Sequence, residues 1–191
     1  MPTREILILG NPLLHSVCDP VSESDIPAMT EVLQDLEDTL FAFRTAHGVG
    51  RAIAAPQIGV LKRAVYMNIG EPVAMLNPHF LTQSVETFDL WDDCMSFPDV
   101  LVRVRRHLRC TLSFRDLHWR EHTVELEGDL SELLQHELDH LDGILAFARA
   151  VDAHSFAYRT QRHLLPGDLV SSPELTAARH PPSSRRIDPQ H

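Results

Sequence analysis

Apolar residues recur along this chain at two different spacings, and each spacing predicts a different element. Leu33, Leu36, Leu40 and Phe43 lie three or four apart, which predicts a helix with an apolar stripe. Ser24 or Asp25 can cap it, Pro27 fits its first turn, and His47-Gly48 marks its end. The run Leu108 to Phe114 instead alternates strictly, predicting a half-buried strand with Cys110 on the apolar side. Val100, Val102 and Val104 alternate with Leu101, Arg103 and Arg105 and predict another. Further strands are expected at 5–9, 63–69, 73–76, 80–87 and 122–126. Gly10-Asn11-Pro12 breaks the first of these, Asn77-Pro78 is expected to turn the chain, and Asp116 to Trp119 makes a further turn. The polar stretch Trp91 to Pro98 is expected to be a loop, and Gly50 to Gly59 is a run of small residues that can bring backbone close to a ligand.

A second helix is predicted over about 130–142. Asp129 followed by Glu132 looks like a capping box, and Gly143 suits the position after the last turn. Leu130, Leu133, Leu134, Leu138 and Leu141 share one face, and Ser131, Gln135, Asp139 and Asp142 lie opposite. Glu137 and His140 fall within the leucine arc, with His136 at its edge. Turning a Glu and a His toward leucines is costly unless they have a task. Antiparallel strands packed around this one buried helix give an α+β fold. Residues 155–165 predict a short helix on Phe156, Leu164 and Leu165, so one domain is expected over 1–165, with a loose tail over 166–191.

Composition changes this picture little. With 191 residues, 43% hydrophobic and 23% charged, the chain is ordinary for one globular domain. A formal net charge of −10 argues against nucleic-acid binding and against attraction to anionic membranes. No run is long enough to span a bilayer, and Ile6 to Leu9 is too short for a signal segment, so a cytoplasmic location is expected. Cys18, Cys94 and Cys110 form no disulfide framework.

The candidate chemistry sits in His136-Glu137-Leu138-Asp139-His140. On a helix, HExxH puts two imidazoles one turn apart on the same face, where a divalent metal can bridge them beside the Glu. Such a site needs a third protein ligand and an open position for water. A His six residues after the second is absent, because that position is Ala146, and the downstream Glu is Glu174 in the tail. Cys94, in its polar loop, is the best remaining candidate; Cys110, on an apolar strand face, reads as a core thiol.

Three blocks in this order and spacing resemble the peptide deformylase family: Gly50 to Gln57 ending in Ala-Ala-Pro-Gln, Asp92-Asp93-Cys94-Met95-Ser96, and Gln135 to Gly143. The resemblance covers about 5–150. It implies hydrolysis of the N-formyl group from the formyl-methionine end of nascent peptides, with the ribosome as a partner. The implied metal ligands are Cys94, His136 and His140, holding one divalent ion, natively Fe²⁺, with Zn²⁺ or Ni²⁺ able to occupy the site. Glu137 is the implied general acid/base, and the Gln57 amide with the Met95 backbone N–H are the implied oxyanion donors. The implied substrate-binding residues are Gly50, Arg51, Ala52, Ile53, Glu132 and Leu133.

The chain departs from the family pattern at several of these positions. Arg51 stands where an aliphatic residue is usual, Ala52 where a Gly is usual, Asp92-Asp93 for Glu-Gly, and Met95 for Leu. Arg51 and Glu132 are expected to approach one another at the rim of the methionine pocket, and Asp92 to pair with Arg103 or Arg106. Two alternatives stay open: a deformylase-like enzyme with another N-acyl substrate, and a non-catalytic peptide-binding protein stabilised by its metal.

Overall fold

A computed structural model describes residues 3–166, and the expected tail lies outside these apart from Pro166. The first helix, α1, spans Ile26–His47, with Pro27 in its first turn. It ends where Gly48 takes φ 72° and donates its N–H to the Arg44 carbonyl, a left-handed stop that suits glycine. Leu33, Leu36 and Leu40 of its stripe are buried against Ile53, Tyr66 and Leu76.

Among the described residues, eight strands follow in two antiparallel sheets. β1 (Ala52–Ala54), β2 (Ala64–Asn68), β3 (Pro72–Gln83), β6 (Arg109–Arg115) and β7 (Glu121–Glu127) form one, in the order β1-β2-β3-β6-β7. β4 (Thr87–Asp93), β5 (Val100–His107) and β8 (Phe156–Tyr158) form the other. The strict alternation at 108–114 does its expected work. Cys110 and Leu112 oppose Leu126 and Val124 across the β6–β7 pair and face the core.

The helix α2 (Asp129–Leu141) is packed between strands of both sheets, touching β1 and β7 of one and β5 of the other. Leu134, Leu138 and Leu141 join Ala54, Val65 and Met75 in the core. Every residue from Ser131 to Leu141 is buried, so Ser131, Gln135 and Asp139 of the polar face do not meet solvent as an amphipathic reading would suggest, while Asp142, just past the helix, does. The end of β5 satisfies the buried groups instead. Ser131 donates to the His107 carbonyl at 2.8 Å, and Gln135 exchanges two hydrogen bonds with the His107 backbone at 2.9 Å.

Several expected boundaries are corrected by long-range pairing. Residues 5–9 form no strand, because Leu7 N–H donates to the Gln57 carbonyl and Leu9 N–H, already in a turn, to the Ser96 carbonyl, two separate segments. Asn77-Pro78 does not turn the chain. It lies at an irregularity within the single strand β3, where Asn77 takes φ 50° and its amide clasps both backbone groups of Val21 at 2.8 Å. The strand expected at 80–87 is therefore the end of β3 and the start of β4. The Trp91–Asp93 part of the expected loop belongs to β4, since β5 supplies its ladder partners. Residues 155–165 form β8 and a 3₁₀ turn at Arg159–Leu164 rather than a helix.

The capping box also fails: Gly128 is the N-cap, and Asp129 and Glu132 turn to Arg51 instead. The other end behaves as expected. Gly143 takes φ 70°, and a Cβ there would lie 2.6 Å from the His15 carbonyl oxygen. Gly143→Ala is accordingly expected to cost about 2–3 kcal/mol of stability, read as a lowered urea midpoint. An unchanged midpoint would show that the His15 segment is free to move away.

Candidate active site

Cys94 is placed by the β4–β5 hairpin, just past the last residue of β4, and is buried. His136 and His140 project from α2 one turn apart. The three side chains meet: Cys94 Sγ lies 3.2 Å from His140 Nε2, which lies 3.2 Å from His136 Nε2. All three ligand atoms fall within 4.8 Å of one another. Around a tetrahedral ion with metal–nitrogen distances of about 2.0–2.1 Å and metal–sulfur of about 2.3 Å, neighbouring ligand atoms are roughly 3.3–3.6 Å apart. The donor set and its spacing fit a borderline-soft divalent ion.

The surroundings orient these donors. Asp92, in β4, lies 2.9 Å from His136 Nδ1. A carboxylate only accepts, so the imidazole proton sits on Nδ1 and leaves the Nε2 lone pair facing Cys94 and His140. Arg106 bridges Asp92 at 3.1 Å and Asp139 at 2.5 Å, and Arg149 completes the chain on Asp139 at 2.7 Å. Burial works against ionisation of Asp92, but the His136 ring N–H and the Arg106 guanidinium that face it outweigh burial and hold the carboxyl below the usual carboxylate range. Of the two arginines expected as partners for Asp92, Arg106 is the one in place; Arg103 pairs with Asp89 at 3.0 Å.

Among the described residues three buried atoms here have no hydrogen-bond partner, Arg106 Nε being the first. His140 Nδ1 and Glu137 Oε2 are the other two. Burial pushes Glu137 up to about 7, which suits a group that both takes and gives protons near neutrality. Burial and the neighbouring His136 lower His140, so its imidazole is neutral and able to ligate.

Gln57 completes the group from the 3₁₀ turn Ala55–Ile58. Its Oε1 accepts from Ala54 N–H at 2.9 Å, which fixes the amide so that Nε2 points to Ser96 Oγ at 3.3 Å and Cys94 Sγ at 3.5 Å. The tie between Leu7 and the Gln57 carbonyl, and that between Leu9 and Ser96, hold these two segments from the same N-terminal stretch.

Above this group opens a cavity of about 390 Å³, onto which Cys94, His136, Glu137, Gln57 and Met95 all face. Among the expected substrate-binding residues, Gly50, Arg51, Ala52, Glu132 and Leu133 line it as well. Ile53 does not. Successive residues of β1 point to opposite sides, and Ile53 is fully buried in the core beneath α1.

The family model for polypeptide deformylase matches residues 3–155. The chain belongs to the peptide deformylase family. A peptide deformylase of Carboxydothermus hydrogenoformans is 34% identical over 151 residues, covering 78% of this chain and 95% of the relative. One from Parafrankia sp. is 40% identical over 151 residues, covering 78% and 79%. The crystal structure of peptide deformylase from Thermotoga maritima superposes with a TM-score of 0.73 at 30% identity, covering 80% of this chain and all (100%) of that one. A structure of the class I type b peptide deformylase from Acinetobacter baumannii, with Met-Ala-Ser bound, has a TM-score of 0.71 at 25% identity, covering 78% and 98%.

In this deformylase-family chain some residues at the site carry no sequence signal of their own. Asp129 binds Arg51 at 2.7 Å although 78 residues separate them. Arg159, from beyond the three blocks, reaches the same cavity and pairs with Asp93 at 2.7 Å. Phe43 and Arg44 bring the end of α1 to the cavity rim. Phe43 belongs to the apolar stripe, so periodicity alone reads it as core. The charged members give no periodic signal, and their partners are set by tertiary contacts.

Proposed function

We propose that this chain removes the formyl group from the N-terminal formyl-methionine of nascent peptides, using a metal held by Cys94, His136 and His140. The observation that carries the reading is the convergence of one thiol and two imidazoles within 4.8 Å, with Glu137 on the same cavity. Family membership supports the substrate class.

When bound, a divalent ion supplies Lewis acidity toward water and toward the formyl carbonyl. Ferrous iron is the native ion on this reading, with zinc or nickel able to replace it. Glu137 takes a proton from the attacking water and returns it to the amine as the carbon–nitrogen bond breaks, releasing formate and a free N-terminus. The Gln57 Nε2 amide and the Met95 backbone N–H donate to the carbonyl oxygen as it gains negative charge. Asp92 and Arg106 keep His136 in one tautomer and one orientation. Catalysis is assigned to a single domain over 1–165. The setting is cytoplasmic, at or near the ribosome, where newly initiated chains carry formyl ends. Among the described residues no helix is long and apolar enough to cross a membrane.

The reading is tested by purifying the protein anaerobically, measuring its metal, and following formate release from formyl-Met-Ala-Ser against acetate release from the acetyl peptide. Hydrolysis of the formyl peptide is expected, with the acetyl peptide far slower. Metal-replete protein that releases no formate would rule the reading out. Gln57→Leu is expected to lower kcat/KM by about 10²–10³ with metal content unchanged, because a fixed donor to the developing charge is lost. A loss below about threefold would assign Gln57 to support of the Cys94 turn alone.

A further inference from the structure

One wall of the catalytic cavity is ionic. Arg51, just before β1, directs Nη1 to Asp129 at 2.7 Å and Nη2 to Glu132 at 3.0 Å, both on the first turn of α2. The side chain of Glu132 is 3% exposed, and that of Arg51 is 36% exposed. Both line the cavity, with Arg51 the more exposed of the two and Glu132 set deeper in the wall.

The position of this wall relative to the reacting groups is fixed by the helix. Glu132 precedes His136 by four residues and Leu133 precedes Glu137 by four, so all four share a face, with the first pair one turn nearer the N-terminus. One turn is about 5.4 Å, close to the reach of an unbranched side chain of four heavy atoms. A formyl amide cleaved beside Glu137 can thus send the side chain of its first residue along the same cavity to Arg51, Glu132 and Leu133.

We propose that Arg51, Asp129 and Glu132 make this a polar first-residue pocket, one that takes unbranched side chains ending in a hydrogen-bonding oxygen at least as well as purely apolar ones. The inference rests on the deformylase reading above and concerns its substrate range. Glutamine and methionine sulfoxide are the side chains that fit. A guanidinium has five N–H groups in a planar fork, so two bonds to carboxylates leave donors for a ligand oxygen. A glutamine carboxamide matches the pair completely: its carbonyl accepts from Arg51 while its NH₂ donates to Glu132. A sulfoxide oxygen accepts from Arg51. The methionine thioether is a weak acceptor, and norleucine has no polar atom at all. Leu133 supplies the apolar side that the methylenes of any of these chains contact. An apolar tip would strip water from Arg51 and give nothing back, which costs roughly tenfold or more in recognition.

The experiment compares kcat/KM of metal-replete full-length protein on formyl-X-Ala-Ser, with methionine, norleucine, glutamine or methionine sulfoxide as X. The glutamine-to-norleucine ratio is expected at or above one in the natural chain. It is expected to fall at least about tenfold in the triple variant Arg51→Leu/Asp129→Leu/Glu132→Leu. A natural chain that favours norleucine over glutamine overturns the proposal, and so does a ratio unchanged in the triple variant. Should the triple variant fail to fold, the ratio of the natural chain decides by itself, with Arg51→Met as the milder variant. The two levels separate cleanly. Hydrolysis that favours norleucine sinks the polar pocket alone, whereas no formate from any of the four peptides sinks the deformylase reading and the pocket with it.

Discussion

Replacing Glu137 by glutamine is expected to lower kcat/KM on formyl-Met-Ala-Ser by about 10²–10⁴ while the metal content stays the same. The variant keeps the size and shape of the side chain and removes its ability to accept a proton. Because Glu137 stands between the two histidines in sequence and is not one of the three clustered donors, the ligand set is untouched. Its Oε2 is buried with no hydrogen-bond partner among the described residues. A buried carboxylate oxygen in that state costs free energy, so the thermal midpoint should be unchanged or higher in the variant. This pairing of outcomes separates a proton-transfer role from a supporting one. A variant with natural activity would remove Glu137 from the reaction. A variant that loses metal and melts early would make it a structural group.

Stripping the metal is expected to abolish formate release and to destabilise the fold. Cys94 lies past the end of β4, in the three-stranded sheet, and both histidines lie on α2, so an ion held by all three ties the hairpin to the helix. An ion at about a hundred times its dissociation constant adds about 2.7 kcal/mol to the folded state. For a chain of this length that corresponds to a fall of about 5–10 °C in thermal midpoint on removal. Anaerobic chelation followed by calorimetry and assay measures both effects. Restoring ferrous iron, zinc or nickel should return activity, and the iron form should lose it in air as the Cys94 sulfur oxidises. Full activity in metal-free protein would end the metal-dependent reading. Loss of activity with no change in midpoint would mean that Cys94 and the histidines hold their places without the ion.

Much of the site was legible because its chemistry is local. Two histidines four residues apart on a helix share a face whatever surrounds them, and Glu137 between them follows from the same geometry. Cys94 was readable in a different way. The alternation of β6 accounts for Cys110 as a core residue, while Cys94 stands among polar neighbours with no periodic reason to be buried. The approach of Arg51 to Glu132 was visible only by likeness to the family, and its third member, Asp129, was not visible at all. The apparent capping box concealed it, since the same two acidic residues can satisfy either a helix end or a distant arginine.

The chain's own pattern thus determined α1 with its glycine stop, the alternating strands, the histidine-bearing helix and the α+β class. These follow from spacings of a few residues, where backbone geometry and side-chain direction leave little choice. Tertiary structure decided the rest. It made Trp91-Asp92-Asp93 a strand by giving it β5 as a partner, and it buried the polar face of α2 by bringing the His107 backbone and Arg106 against it. It also chose Arg106 over Arg103 for Asp92, and Arg51 for Asp129 and Glu132. In each case a polar group must find a partner once water is removed, and which partner is near depends on how the two sheets close around the helix.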